Sequence, residues 1–259
     1  MNQEEFSLDL ENVAWFYACH GSRIEIMPYK DVTQSVLELY LNGSVYGAIL
    51  HQRKTLPLHG SCFKYQGLGI MICGESGVGK SSLTTSFCLK GASFLTDDVS
   101  PILLKNGKPH IWGVSDRIKL WSDSLVQLEQ NEEGLERIFP EQGKYYFPME
   151  SAQGKVFPLT YIFILHTHKQ REIVYQPVEG VEKFTALRNE IYRLEYLQGM
   201  KESETAYLKQ LIMVCRGVTV VNVYRPTDIS IEQLQFKFNK LILAVASNQN
   251  LNALEIADQ

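Results

Sequence analysis

Residues 74–81 read GESGVGKS and fill the pattern GxxxxGKS/T completely. Each residue type has a mechanical reason. Glycines at 74, 77 and 79 permit positive φ and let backbone N–H groups turn inward around phosphate oxygens with no Cβ in the way. A helix starting at Ser81 would aim its N-terminal dipole at the same anion. Lys80 brings a mobile ammonium to the β and γ phosphates, and the Ser81 hydroxyl is placed to ligate a Mg²⁺ that bridges them. The flanks fit this reading. GLGIMIC at 67–73 is a short apolar run bounded by glycine, hence a buried strand, and 81–90 reads as a helix closed by Gly91. The pattern predicts a nucleoside triphosphate site.

A strand–loop–helix unit of this kind needs a sheet around it, and the chain supplies one. Strands are predicted at 21–27, 93–96, 159–166 and 218–224, and helical spacing at 32–50 (broken at Asn42-Gly43), 181–215 and 231–246. The polar stretch 127–154 reads as a surface excursion. With no Pro- or Ser-rich linker, one mixed α/β domain over 1–259 is expected. Its parts are an amino-terminal strand and helix region (1–50), a nucleotide-binding core (51–121), a flexible excursion (122–158) and a carboxyl-terminal α/β part (159–259). The chain carries 25 basic and 29 acidic residues. That balance argues against a nucleic-acid or membrane-surface binder. Five cysteines without a CxxC pair, and an amino terminus without a basic region and apolar core, point to a reducing cytoplasm. The histidines show no zinc-ligand spacing.

Asp97 and Asp98 follow the predicted strand 93–96. Coming straight after the loop helix, that strand is expected beside the strand 67–73, delivering both carboxylates to the carboxyl edge where ligands bind in open α/β sheets. Two adjacent carboxylates can divide the labour, one held ionised through a metal and one accepting a proton from an attacking hydroxyl. His59, in LPLHGS, is by itself more often a structural hydrogen-bonder.

Taken together, His59-Gly60, GLGIMIC, GESGVGKSS and KGASFLTDDVS resemble the catalytic domain of the bacterial HPr kinase/phosphorylases, a P-loop group related in fold to phosphoenolpyruvate carboxykinase. The intervals of 21 positions from His59 to Lys80 and 18 from Lys80 to Asp98 follow the family's pattern. The resemblance implies ATP held by Gly74, Glu75, Ser76, Gly77, Val78, Gly79, Lys80, Ser81 and Ser82, with Mg²⁺ on Ser81 and Asp97. It further implies Asp98 as general base, with His59 and Lys80 as catalytic partners near the transferred phosphate. Two residues depart from the pattern: Ser82 stands where the family usually has Glu, and the family's acidic-x-Arg-Gly signature is only echoed by His110–Gly113. With 58 residues before His59, no separate regulatory domain is expected.

In the segments QRKTLPLHGS, RIKLWSDSL and GKYYFP the chain more closely resembles single-domain HPr-kinase-like proteins of biosynthetic clusters, among them kinases that phosphorylate a serine of lasso-type peptides. That resemblance implies Lys119 and Lys144 as acceptor-side or phosphate-side cations, with a solvated surface lysine the alternative for each. The expected activity is Mg²⁺-dependent transfer from ATP to a serine of a peptide or protein, in a chain able to form homo-oligomers. A kinase for a small hydroxyl compound (a free amino acid or a sugar) and a non-catalytic ATP-binding module are the alternatives.

Overall fold

The computed structural model describes residues 1–139 and 141–247. Pro140 and the last twelve residues of the expected carboxyl-terminal part therefore lie outside the description. An antiparallel meander of β1 (Glu5–Leu10), β2 (Ala14–Cys19) and β3 (Arg23–Pro28) leads into α1 (Gln34–Tyr40). The predicted break at Asn42-Gly43 is a π-helical turn, Leu41–Val45, which joins α1 to α2 (Tyr46–Gln52) without interrupting the helical path. There follow β4 (Leu56–Tyr65), β5 (Leu68–Gly74) and α3 (Lys80–Leu89), then β6 (Ser93–Thr96), β7 (Val99–Lys105), β8 (Lys108–Trp112) and β9 (Arg117–Trp121).

In place of an excursion, the stretch 122–158 holds α4 (Ser122–Gln127), β10 (Glu136–Arg137), β11 (Lys144–Pro148) and β12 (Val156–Pro158). Ile138 and Tyr145 are buried there. The strands are only two to five residues long and set among Gln, Glu and Gly, so their alternation is lost in a polar background. The chain continues through β13 (Tyr161–His168), β14 (Val174–Val178), α5 (Gly180–Asn189), a 3₁₀ turn at Leu194–Gly199, α6 (Lys201–Gly217), β15 (Thr219–Pro226) and α7 (Ile231–Ala246). Helix α7 opens with a capping box, Ser230 and Gln233 each satisfying the other's backbone N–H.

The principal sheet has the order β12-β8-β7-β4-β5-β13-β15-β14, with β6 also paired to β4. Strands β5, β13 and β15 are parallel and the remaining pairs antiparallel, so the fold is of the mixed α/β class. Alternate residues of the parallel strands enter two cores. Met71, Ile162 and Val220 pack against Leu187, Tyr207 and Leu211 of α5 and α6. Ile72, Phe163 and Val221 pack against Phe87 and Phe238 of α3 and α7 on the other face.

The expected adjacency of 93–96 to the loop strand is corrected by the topology. Strand β6 pairs with β4, and β4 lies between it and β5. Two antiparallel steps restore the direction of β5, so β6 still ends at the same sheet edge. Strands β6 and β7 run in succession along β4, opposite Cys62–Lys64 and then Leu56–His59, with only Asp97 and Asp98 between them.

Gly69 marks a close approach of β5 to the following segment: a Cβ there would strike the carbonyl of Pro158. Gly69→Ala is expected to cost about 1–3 kcal/mol through forced separation of these backbones. This would appear in urea unfolding as a lower midpoint with an unchanged m-value; an unchanged midpoint would show that the approach is easily relaxed.

Candidate active site at the sheet edge

The glycine-rich loop leaves β5 at Gly74 and enters α3 at Lys80. All three glycines chosen from the sequence have positive φ, +124° at Gly74, +83° at Gly77 and +101° at Gly79. Gly74 is also pressed against β13, since a Cβ would collide with the Leu165 carbonyl. Ser76, Gly77, Gly79, Lys80, Ser81 and Ser82 line a cleft of about 720 Å³. The others are placed differently. Val78 is buried in the apolar core beneath α3. Glu75 contributes its carbonyl, and the Gly74 N–H donates to Glu190 Oε2 at 3.2 Å. Lys80 is nearly buried and donates to the carbonyls of Gly74 (2.8 Å) and Glu75 (2.9 Å), which holds the ammonium under the loop.

Asp97 and Asp98 form the bend between β6 and β7, and their carboxylates take different partners. Asp98 has φ +70°, and the Val99 N–H donates to the Asp97 carbonyl at 2.9 Å, closing a γ-turn of the rarer, strained kind. The Asp97 carboxylate accepts from Ser81 Oγ, with its oxygens 3.0 and 3.2 Å away. Burial raises its pKa, aided by the neighbouring Asp98 charge and opposed by Lys119. Asp98 lies between Lys119 Nζ (2.5 Å) and His59 Nε2 (3.6 Å). Burial alone would raise the Asp98 pKa, but Lys119, His59 and Lys80 outweigh it and hold the carboxyl below its ordinary range.

His59 reaches this position because β4 runs antiparallel, so its first residues lie at the edge where β5 ends. Its backbone N–H donates to the Glu190 carbonyl and its ring tilts over Tyr192 at 5.7 Å. Burial, and then the Lys80 charge, push its pKa down to about 4.

Lys119 comes from β9, and its pKa is raised because the two aspartates outweigh its burial. Lys144, at the start of β11, faces the same cleft with its ammonium 4.9 Å from the Trp121 ring centre. Burial lowers its pKa, and the Lys119 charge lowers it further. Ser82 donates to Ser124 of α4 at 2.9 Å, tying two helices together. The stretch His110–Gly113 lines neither this cleft nor the neighbouring one on the far side of Asp98.

Two charged residues escaped the sequence reading. Glu190, in the turn after α5, carries a carboxyl whose pKa burial raises, beside the Gly74 N–H. Arg225, at the end of β15, donates from Nε to the Val78 carbonyl at 3.0 Å and lines the cleft next to Gly79. A signal existed for Arg225, which directly follows the apolar run VTVVNVY. Glu190 had none, because its position depends on the pairing of 190–192 with β4.

Fold and site define a mixed α/β protein with a glycine-rich loop and a carboxylate pair at the carboxyl edge of its parallel strands. In comparison with known proteins, residues 51–120 match the HPr Serine kinase C-terminal domain, so the chain is similar to that domain over this core. A stretch of 87 residues is 33% identical to the protein named "Putative HPr kinase/phosphorylase 2" of Oceanobacillus iheyensis, covering 31% of this chain and 25% of that relative. The Hpr(Ser) kinase/phosphatase structure from Coxiella burnetii overlays with a TM-score of 0.39 at 12% identity, over 73% of this chain and 98% of that one. No helix among the described residues is long and apolar enough to cross a membrane.

The histidine environment makes stability depend on pH. His59 and the fully buried His51 are both depressed by burial to about 4 from an ordinary 6.5. Between those values the unfolded chain binds more protons than the folded one, so stability falls as pH drops through that window. Asp98 acts lower down: its contribution is present above about pH 3.9 and is lost as pH falls through its folded pKa. The urea midpoint should decline from about pH 6.5 to about pH 4, and His59→Gln should flatten part of that decline. An unchanged slope in His59→Gln would mean that His59 titrates as an exposed imidazole.

Proposed function

We propose that this chain is a Mg²⁺-dependent ATP:serine phosphotransferase acting on a hydroxyl of a peptide or protein. The observation that carries this reading is the division of the aspartate pair, Asp97 bonded to Ser81 on the loop side and Asp98 set between Lys119 and His59. In a phosphoryl transfer the protein mostly positions groups and neutralises charge. A metal holder belongs beside the loop and a proton acceptor on the side of the attacking hydroxyl.

The donor set suits the groups this activity needs. Ser81 and Asp97 offer hard oxygens to Mg²⁺, which favours one or two protein ligands with phosphates and waters completing its shell. No cluster of three or more His, Cys, Asp or Glu side chains that could enclose a metal exists among the described residues. Ser81 and Asp97 would hold the ion, whose chemistry is to neutralise the charge of the phosphates. The loop N–H groups, Lys80 and Arg225 would hold the triphosphate, and Lys119 and Lys144 are cations within the same cleft.

Asp98 accepts the proton of the serine hydroxyl as the serine oxygen bonds to the γ phosphorus and the bond from that phosphorus to the β-phosphate oxygen breaks, releasing ADP. Its depressed pKa makes it a weak base, sufficient when proton transfer comes late. His59, neutral above about pH 4, stands 3.6 Å from Asp98 without adding charge.

Mass spectrometry of serine-containing peptides incubated with ATP and Mg²⁺ should reveal gain of one phosphoryl group. Asp98→Asn should lower the transfer rate by about 10²- to 10⁴-fold while nucleotide binding persists, and Lys80→Ala should weaken nucleotide binding itself. Transfer retained in Asp98→Asn would remove Asp98 from the role.

A further inference from the structure

We infer that the cleft on the far side of Asp98 receives the acceptor, and that Asn42 and Tyr46 there hold the main chain of a serine peptide whose neighbouring residues are uncharged or basic. This rests on the phosphotransferase reading above and adds to it the place and chemistry of acceptor recognition.

The cleft has a volume of about 530 Å³, within the range that encloses a drug-sized body and larger than a free amino acid fills. It shares only Leu39, Asp97, Asp98 and Lys119 with the loop-side cleft. The loop residues, Lys80 and Ser81 line the loop side alone. The aspartate pair thus lies where the two openings meet, as transfer between a donor and an acceptor approaching from opposite sides requires.

One wall runs along α1, the π-helical turn and the start of α2, and π-helical turns are frequent at functional positions. Leu39, Asn42 and Tyr46 follow one another at helical spacing and present a single face to the cleft. The turn is pressed onto the His59–Tyr192 pair: a Cβ at Gly43 would come within 3.1 Å of the Tyr192 hydroxyl, and one at Gly47 within 2.9 Å of its ring. The recognition face is therefore in register with the proposed base. Neither the Asn42 amide nor the Tyr46 hydroxyl is engaged in a side-chain hydrogen bond among the described residues. Burial pushes the Tyr46 pKa up to about 12, keeping its hydroxyl neutral and able to donate. An amide and a phenol together match the N–H and C=O groups of a peptide.

The charges select the acceptor further. Arg117 is paired with Glu38 and with Glu136 (3.5 Å) and stacks 4.0 Å from the Tyr146 ring centre. Lys119 is paired with Asp98. Among the described residues, both cations lining the cleft are paired with carboxylates, whereas the exposed Asp116 on its rim pairs with no basic side chain.

The test uses a library of octapeptides with a central serine and flanks drawn from Ala, Lys and Glu, with free serine in parallel. Wild-type protein should phosphorylate Ala- and Lys-flanked peptides in preference to Glu-flanked ones and to free serine. In the Asn42→Ala, Tyr46→Phe double variant the KM for the preferred peptide should rise about tenfold, the loss expected of two ordinary hydrogen bonds, with kcat and the KM for ATP little changed. Asp116→Lys, a surface change that leaves packing alone, should move the preference toward Glu flanks. Peptide transfer with an unaltered peptide KM in the double variant, or with a raised KM for ATP instead, would overturn the assignment of the cleft. Equal use of free serine would overturn the peptide class. Nucleotide binding with no transfer to any acceptor would overturn the phosphotransferase reading itself, and this inference with it.

Discussion

Two carboxylates on adjacent residues repel one another, and the arrangement of the site depends on how the fold keeps them apart. The bend between β6 and β7 gives Asp97 and Asp98 different partners, with Asp98 at positive φ in the centre of a γ-turn. Asp97 then meets the Ser81 hydroxyl and Asp98 meets Lys119. The burial that raises the pKa of the first is outweighed at the second by nearby cations. Such separation of like groups by environment gives neighbouring carboxylates distinct chemical roles.

The separation requires elements distant in sequence. Strand β4 carries β5 on one edge and β6 with β7 on the other, bringing loop and aspartates to the same end of the sheet. The small sheet of β9, β10 and β11 brings Lys119 and Lys144 over that end, with Tyr146 paired to Lys119 across the strands. Arg117 fastens this sheet to α1 through Glu38, so the same residues that close the site shape the cleft beyond it. The polar stretch between α4 and β13 is thus part of the site's architecture.

What the sequence could reveal follows the range of the interactions involved. Local rules sufficed for the three positive-φ glycines, for β5 and α3, and for the span of α7, because each is decided within a few residues. Strand β4 was harder to see. Pro57 and Gly60 weaken its strand signal, and Pro57 is tolerated because it faces Pro101 across the pair with β7. The two-residue strand β10 and the five-residue β11 are set by pairing with β9 and carry little propensity of their own. The place of β6 was misjudged because a short connection after α3 suggests a neighbour of β5, whereas β4 already occupies that edge. Glu190 came into view only with the contact between 190–192 and β4.

The most direct test of the divided aspartate pair is a carbon-detected NMR titration of the Asp97 and Asp98 carboxyl groups in the ligand-free protein. Two separate titrations are expected, Asp98 below the ordinary carboxylate range and Asp97 above it, with Asp98 moving upward in Lys119→Met. Coincident titration of the two groups, or the reverse order, would contradict it.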